Sequence, residues 1–130
     1  MNRSFAFTSG GAHRLGTGEW KIRADENGSL AIQHDLYGSV RDFGTFDLSP
    51  DESASLWNLI AGAAFEKRVS TSRPGIPDES MLGFALFAQA TLHSVQLWAS
   101  EALEDLSIKR LVEEIGKLIE KYTGRKPVLT

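Results

Sequence analysis

Short runs of alternating apolar and polar residues fill the N-terminal third of the chain, a pattern that predicts β-strands. The first run is Ser4–Thr8 and the second is Glu19–Ala24. The Asn27-Gly28 pair that follows is a strong hairpin signal, so a third strand is expected to return beside the second. After another turn, Val40–Leu48 is the predicted fourth strand.

The stretch Leu48–Arg68 changes to apolar residues spaced three and four apart, which is typical of an amphipathic helix. Ser49 is the predicted N-cap and Pro50 the first helical residue. Glu52 comes three residues after the cap, where its side chain can bond the free N–H of the cap. The basic pair Lys67-Arg68 is expected at the carboxyl end, where the helix dipole favours cations.

The second half of the chain predicts a long loop, a hairpin and a helix. Ser70–Ser80 has no hydrophobic period and is the predicted loop. Met81–Ala90 is apolar on both sides, which predicts a strand buried on both faces. Thr91–Ala99 is expected to pair back with it through a tight turn that lacks Gly and Asn. Asp105–Tyr122 carries a continuous apolar stripe and is the second predicted helix.

Together these elements predict one α+β domain that spans residues 1–130. We expect an antiparallel sheet of about six strands, with four strands, a helix, two strands and a helix in chain order. Both helices are expected to pack on one face of the sheet. A length of 130 residues is enough to bury the core of one domain without metal or disulfide support.

Composition narrows the class of protein. Hydrophobic residues make up 42% and charged residues 24%, an ordinary globular balance rather than a disordered one. The formal charge of −3 argues against a general nucleic-acid binder. With no cysteine there is no thiol nucleophile, disulfide framework or thiolate zinc site. No signal peptide or membrane span is recognisable, so a cytoplasmic protein is the expectation.

No residue pattern predicts catalysis, a metal or a cofactor. His13, His34 and His93 fall in a loop and two separate strands, without the close ligand spacing of a zinc site. The glycine-rich residues of 9–18 lack the Gly-Lys-Ser/Thr ending of a phosphate-binding loop and lead into a strand. We therefore expect a protein that is not an enzyme.

The two long polar, glycine-containing loops, Ser9–Gly18 and Ser70–Ser80, have no structural explanation in the sequence. Long loops in a compact domain often carry function. We therefore predict that they contact a partner protein by inserting into its groove. The predicted contact residues are Ser9, Gly10, Gly11, His13 and Arg14 in the first loop and Arg73, Pro74 and Asp78 in the second.

Two other hypotheses remain open from the residues alone. The first is a small-molecule pocket between the sheet and the central helix, lined by Trp57, Phe84 and Trp98, with His93 as its polar group. The second is a homodimer, rather than a monomer, in which the edges of two sheets pair.

Four short motifs follow one another along the chain: Phe7-Thr8-Ser9-Gly10-Gly11, Leu48-Ser49-Pro50, Arg73-Pro74-Gly75 with Asp78, and His93-Ser94-Val95 before the closing helix. Taken in this order, they resemble the emfourin family, small bacterial proteins that inhibit thermolysin-like metalloproteases. The resemblance spans about Ser4 to Leu118 and implies a protease as partner. This chain is longer than that family in the hairpin around Asn27-Gly28 and in the tail Tyr122–Thr130. No inhibitory residue is carried over.

Overall fold

The computed structural model describes residues 2–10, 18–74 and 79–129. In these ranges the chain forms a six-stranded antiparallel sheet and three helices, which confirms the predicted α+β class and sheet. The short helix Ala99–Glu104 is an addition to the two predicted helices. The elements are β1 Ser4–Thr8, β2 Glu19–Asp25, β3 Ser29–Leu36, β4 Ser39–Asp47, α1 Pro50–Ala63, a 3-10 turn Phe65–Lys67, β5 Met81–Ala88, β6 Thr91–Trp98, α2 Ala99–Glu104 and α3 Leu106–Thr123.

Strand β1 lies inside the sheet, whose spatial order is β4-β3-β2-β1-β5-β6. Phe7 of β1 pairs with Ile22 of β2 on one side and with Phe84 of β5 on the other. Because every pairing is antiparallel, the end of β1 and the starts of β2 and β5 lie at the same end of the sheet. We call this the loop end, since both long loops leave the sheet there.

Burial alternates along the strands, so one face of the sheet supplies the core. Along β5, Leu82, Phe84 and Leu86 are buried, whereas Phe87 is 41% exposed. The prediction that this strand is buried on both faces is therefore wrong, because an antiparallel sheet can leave one face to solvent. The buried residues of α1 and α3 belong to the same hydrophobic cluster as the buried face.

The N-terminus of α1 has the predicted capping box. The Ser49 hydroxyl accepts from the Glu52 backbone N–H at 3.1 Å, and the Glu52 carboxylate accepts from the Ser49 N–H at 2.8 Å. Pro50 is the first helical residue, as predicted. The start of α1 is therefore determined by neighbouring residues in the sequence, Ser49, Pro50 and Glu52.

The end of α1 differs from the prediction, since the helix stops at Ala63 and not at Arg68. Ala64 takes a left-handed backbone, and the next residue, Phe65, turns into the core. The Phe65 ring packs 5.1 Å from the Phe84 ring. Arg68 is therefore not in the last helical turn, but its Nε still donates to the Ala63 carbonyl at 2.5 Å.

Ionic contacts join α1 to α3 at both ends. Arg68, just after α1, forms an ion pair of 2.9 Å with Asp105, the N-cap of α3. At the other end, the Glu52 carboxylate accepts from Lys121 and from the Tyr122 hydroxyl, each at 2.5 Å. The two helices are therefore antiparallel to each other, with the N-terminus of α1 beside the C-terminus of α3.

The turn between β5 and β6 is tight and lacks glycine, as predicted. Gln89 and Ala90 both have left-handed backbones, with φ of 52° and 61°. Such a turn normally uses Asn-Gly, because residues with a Cβ are strained there.

The lowered pKa of Glu52 predicts that the free energy of unfolding falls in acid. The hydrogen bond from Lys121, followed by those from Tyr122 and the Ser49 backbone, lowers the pKa of Glu52 from 4.5 to about 2. A lowered folded-state pKa stabilises the fold above the unfolded value, and this stabilisation is lost as the pH falls from 4.5 towards 2.

We expect Glu52→Gln to lower stability at pH 7 by about 1–2 kcal/mol, since a charged hydrogen-bond acceptor is lost. Urea unfolding at pH 7 and at pH 3 measures this. The difference from wild type should shrink at pH 3, whereas the exposed control Glu113→Gln should show little difference at either pH. If Glu52→Gln lowered the free energy of unfolding by the same amount at both pH values, the lowered pKa of Glu52 would be contradicted.

Candidate functional site

The two long loops leave the sheet side by side at the loop end. The first follows Thr8 at the end of β1, and the second precedes Met81 at the start of β5. Thr8 pairs with Gly83 of β5 and with Lys21 of β2, so the bases of the two loops are adjacent. We define the candidate site as the loop end, with the described loop bases 9–10, 18, 70–74 and 79–80.

The base of the first loop is fixed by Ser9. Its backbone N–H donates to the Trp20 carbonyl at 2.9 Å, and its hydroxyl accepts from the Trp20 N–H at 2.8 Å. Ser9 is fully buried, so its side chain holds the loop base and is not exposed to a partner.

Close backbone contacts require glycine on both sides of the first loop. Gly10 has φ of 60°, and a Cβ on it would overlap the carbonyl oxygen of Met81. Gly18 has φ of 66°, and a Cβ there would lie 2.6 Å from the Asp35 carbonyl oxygen. The backbone of the first loop therefore passes close to β5 at Gly10 and close to β3 at Gly18.

Arg73 closes the base of the second loop. It forms a bidentate pair with Glu79, with Nη2 2.8 Å and Nη1 3.2 Å from the two carboxylate oxygens. Its Nε lies 2.5 Å from a Glu101 oxygen, and Nη2 also donates to the Ser100 hydroxyl at 3.0 Å. Contact with Glu79 first, and then Glu101, raises the pKa of Arg73. The network links residues on both sides of 75–78.

The segment before the second loop lies along the outer edge of β6. The Thr71 N–H donates to the Gln96 carbonyl at 2.8 Å, and the Thr71 hydroxyl accepts from the Trp98 N–H at 3.2 Å. The Trp98 indole N–H donates to the Arg73 carbonyl at 2.9 Å. The last strand and the unpredicted α2, which supplies Ser100 and Glu101, thus support this loop.

Four of the eight predicted partner residues lie in the part of the chain that the structure describes. Arg73 and Pro74 lie at the base of the second loop, and Ser9 and Gly10 at the base of the first. The remaining predicted partner residues, Gly11, His13, Arg14 and Asp78, lie outside the described residues.

The four residues of the predicted pocket do not line a common cavity. Phe84 is buried, and its ring packs 5.3 Å from the Phe7 ring. Trp57 lies beneath the Arg3 guanidinium, which is 4.6 Å from its ring. Trp98 belongs to the loop end. Trp57 and Phe84 line different cavities in the described structure.

His93 instead lines a cleft at the end of the sheet opposite the loop end. The cleft has a volume of about 490 Å³ and is bounded by the β5–β6 turn, α1 and the start of β1. Among the described residues, neither His93 nor Glu66 has a hydrogen-bond or ion-pair partner. The lining residues are Arg3, Ile60, Ala61, Glu66, Leu86, Ala88, Gln89, Thr91 and His93.

The two edges of the sheet differ in their capacity to pair with another copy. The β6 edge is occupied, since the Gln96 N–H donates to the Ser70 hydroxyl at 3.0 Å. The β4 edge carries a bulge, where Gly44 has φ of 90° and its N–H donates to Asp42 at 2.8 Å. Bulges and charges on an edge oppose pairing between sheets. The homodimer through sheet edges stays a prediction.

No protein-family model matches the chain, and no curated protein matches it. In the part of the chain that the structure describes, no group of three or more metal-ligating side chains occurs. No helix among these residues is long and apolar enough to cross a membrane. The site must therefore be interpreted from its own geometry.

The sequence did not reveal the partners of Arg73. Glu79, Ser100 and Glu101 stand out neither by motif nor by period, and the Glu79 side chain is only 4% exposed. One available signal was the polar composition of 70–80, which identified the loop but not how it is held.

Substitutions at two glycines test the loop base. We expect Gly10→Ala to destabilise the fold by about 2 kcal/mol or more, because its backbone is left-handed and Met81 blocks the Cβ. The matched control is Gly62→Ala on the exposed side of α1, where no atom lies within 4 Å of the added Cβ. That change should stabilise by about 0.5–1 kcal/mol. Equal unfolding free energies for the two variants would contradict the close contact.

Proposed function

We propose that this protein is a non-enzymatic binding module whose loop end contacts a partner protein, and that the partner is a thermolysin-like metalloprotease which it inhibits. The observation that carries the proposal is the adjacency of the two loop bases on β1 and β5, since it presents both long loops to the same partner surface. The class of partner comes from the resemblance of the sequence motifs to the emfourin family.

Fixed loop bases suit a binding role because they reduce the ordering that a partner must impose. Ser9 holds the first loop to β2 through two hydrogen bonds with Trp20, and Gly10 lies close to β5. Arg73 holds the second through Glu79 and Glu101. In this proposal α1 and α3 both pack on one face of the sheet and act only as its rigid support.

Exposed side chains on the neighbouring turn extend the surface. The β3–β4 turn lies at the loop end too, because Asp35 pairs with Glu19 at the start of β2. Tyr37 is 67% exposed and Val40 is 58% exposed. Tyrosine is common in the centre of protein interfaces, where it supplies a large contact area.

Loop variants test the proposal in an inhibition assay with a thermolysin-like protease. We expect wild type to inhibit, and deletion of residues 12–16 or the substitution Arg73→Gln to weaken inhibition by about tenfold or more. Lys109→Gln, an exposed change on α3, is the matched control and should inhibit like wild type. Circular dichroism confirms that each variant is folded.

If wild type neither inhibits nor binds the protease, the protease assignment is wrong. If wild type inhibits the protease and both loop variants inhibit it equally well, the loop end is not the binding surface.

The cleft that contains His93 supports a second candidate function, the binding of a small molecule. Its volume is in the usual range for ligand sites, and its floor is formed by Ile60, Leu86 and Ala88. His93 and Glu66 line it without partners among the described residues, so they can bond a ligand. The strained turn at Gln89 forms part of its rim.

A thermal-shift screen of small polar metabolites tests this second candidate. We expect a ligand to raise the melting temperature of wild type and of the Lys109→Gln control, and to have a much smaller effect on His93→Ala and Glu66→Gln. A ligand that raises all four melting temperatures equally would bind elsewhere, and the absence of any such ligand would count against the cleft.

A further inference from the structure

Two arginines from different elements lie against one aromatic ring beside β4. The guanidinium carbon of Arg41 is 4.8 Å from the centre of the Phe43 ring, and that of Arg125 is 5.9 Å from it. Arg41 belongs to β4, whereas Arg125 follows the end of α3. Both side chains are on exposed residues, so a ligand can reach them.

The charges of this pair are not balanced in the described structure. Four other arginines each form an ion pair with a carboxylate, but Arg41 and Arg125 have no such partner among the described residues. Arg110, on the exposed side of α3, is a third arginine for which the described residues show no ion pair. Two like charges drawn to the same ring repel each other unless an anion lies near both.

A stack of rings fixes the position of Phe43. Its ring lies 5.8 Å from that of Trp20 at an interplanar angle of 18°. Trp20 in turn stacks on His34 at 4.2 Å and 19°. Trp20 is only 3% exposed, so the stack is anchored in the core. A fixed platform of this kind lowers the entropic cost of holding Arg41 and Arg125 ready for a ligand.

We propose that Arg41 and Arg125 form an oxyanion-binding site that takes a phosphate or a carboxylate group. A guanidinium presents its N–H donors in a planar fork that matches the oxygens of these groups. The oxyanion could be free inorganic phosphate or a side-chain carboxylate of an acidic peptide. The site does not depend on the proposed protease inhibition, because none of its residues belongs to the loop bases.

Nuclear magnetic resonance of the arginine Nε–H groups tests the site directly. The full chain is titrated with inorganic phosphate and, separately, with a capped glutamate-rich peptide, at constant ionic strength set with chloride. We expect saturable shifts at Arg41 and Arg125 with at least one probe, and only small linear shifts at Arg110. The probe that binds more tightly identifies the source of the oxyanion.

Matched variants complete the test. The double variant R41Q/R125Q should weaken binding by about tenfold or more, and R125Q alone should weaken it measurably. R110Q should bind like wild type. R125Q keeps the test decisive if the double variant is unstable, because Arg125 lies outside every strand and helix.

Three results would overturn the proposal: shifts that do not saturate with either probe, shifts at Arg110 as large as those at Arg41, or unchanged affinity in the folded variants. Each would mean that the two arginines only cover the Phe43 ring.

Discussion

The fold depends on the insertion of β1 between β2 and β5. This single strand joins the β2–β4 meander to the β5–β6 hairpin, and Phe5 and Phe7 on it are almost wholly buried. The Phe5 ring packs 5.6 Å from the ring of Phe65, the residue that ends the helical path of α1. Without β1, neither half of the sheet would present a continuous apolar face to the helices.

The same strand decides where the loops lie. Since β1 is antiparallel to both neighbours, its end must lie beside the start of β2 and the start of β5. The backbone of Gly10 passes close to that of Met81, so the two loop bases are adjacent. The His93 cleft is at the opposite end of the sheet, so partner binding and small-molecule binding would use separate surfaces. The Arg41–Arg125 pair lies beside β4, where Arg41 directly follows Val40 of the extended partner surface.

Local signals predicted the elements well and their contacts poorly. The Ser49–Glu52 capping box and the Asn27-Gly28 hairpin are encoded within a few residues, and the structure has both. The end of α1 was misplaced because burial of Phe65, a tertiary effect, overrides a favourable helical pattern. The ion pairs of Arg73 could not be predicted from the sequence, because Glu79 and Glu101 contact Arg73 only in the folded chain. Trp57, Phe84 and His93 of the predicted pocket line three different cavities, because the strand register and the path of α1 place them on different parts of the fold.

Hydrogen–deuterium exchange of the complex with a thermolysin-like protease is the most direct test of the proposal that the loop end binds a partner. We predict slower exchange on binding in residues 9–18 and 70–80, and unchanged exchange on the exposed side of α3. Protection confined to β4 or to the cleft around His93, or a protease that causes no protection anywhere, would contradict it.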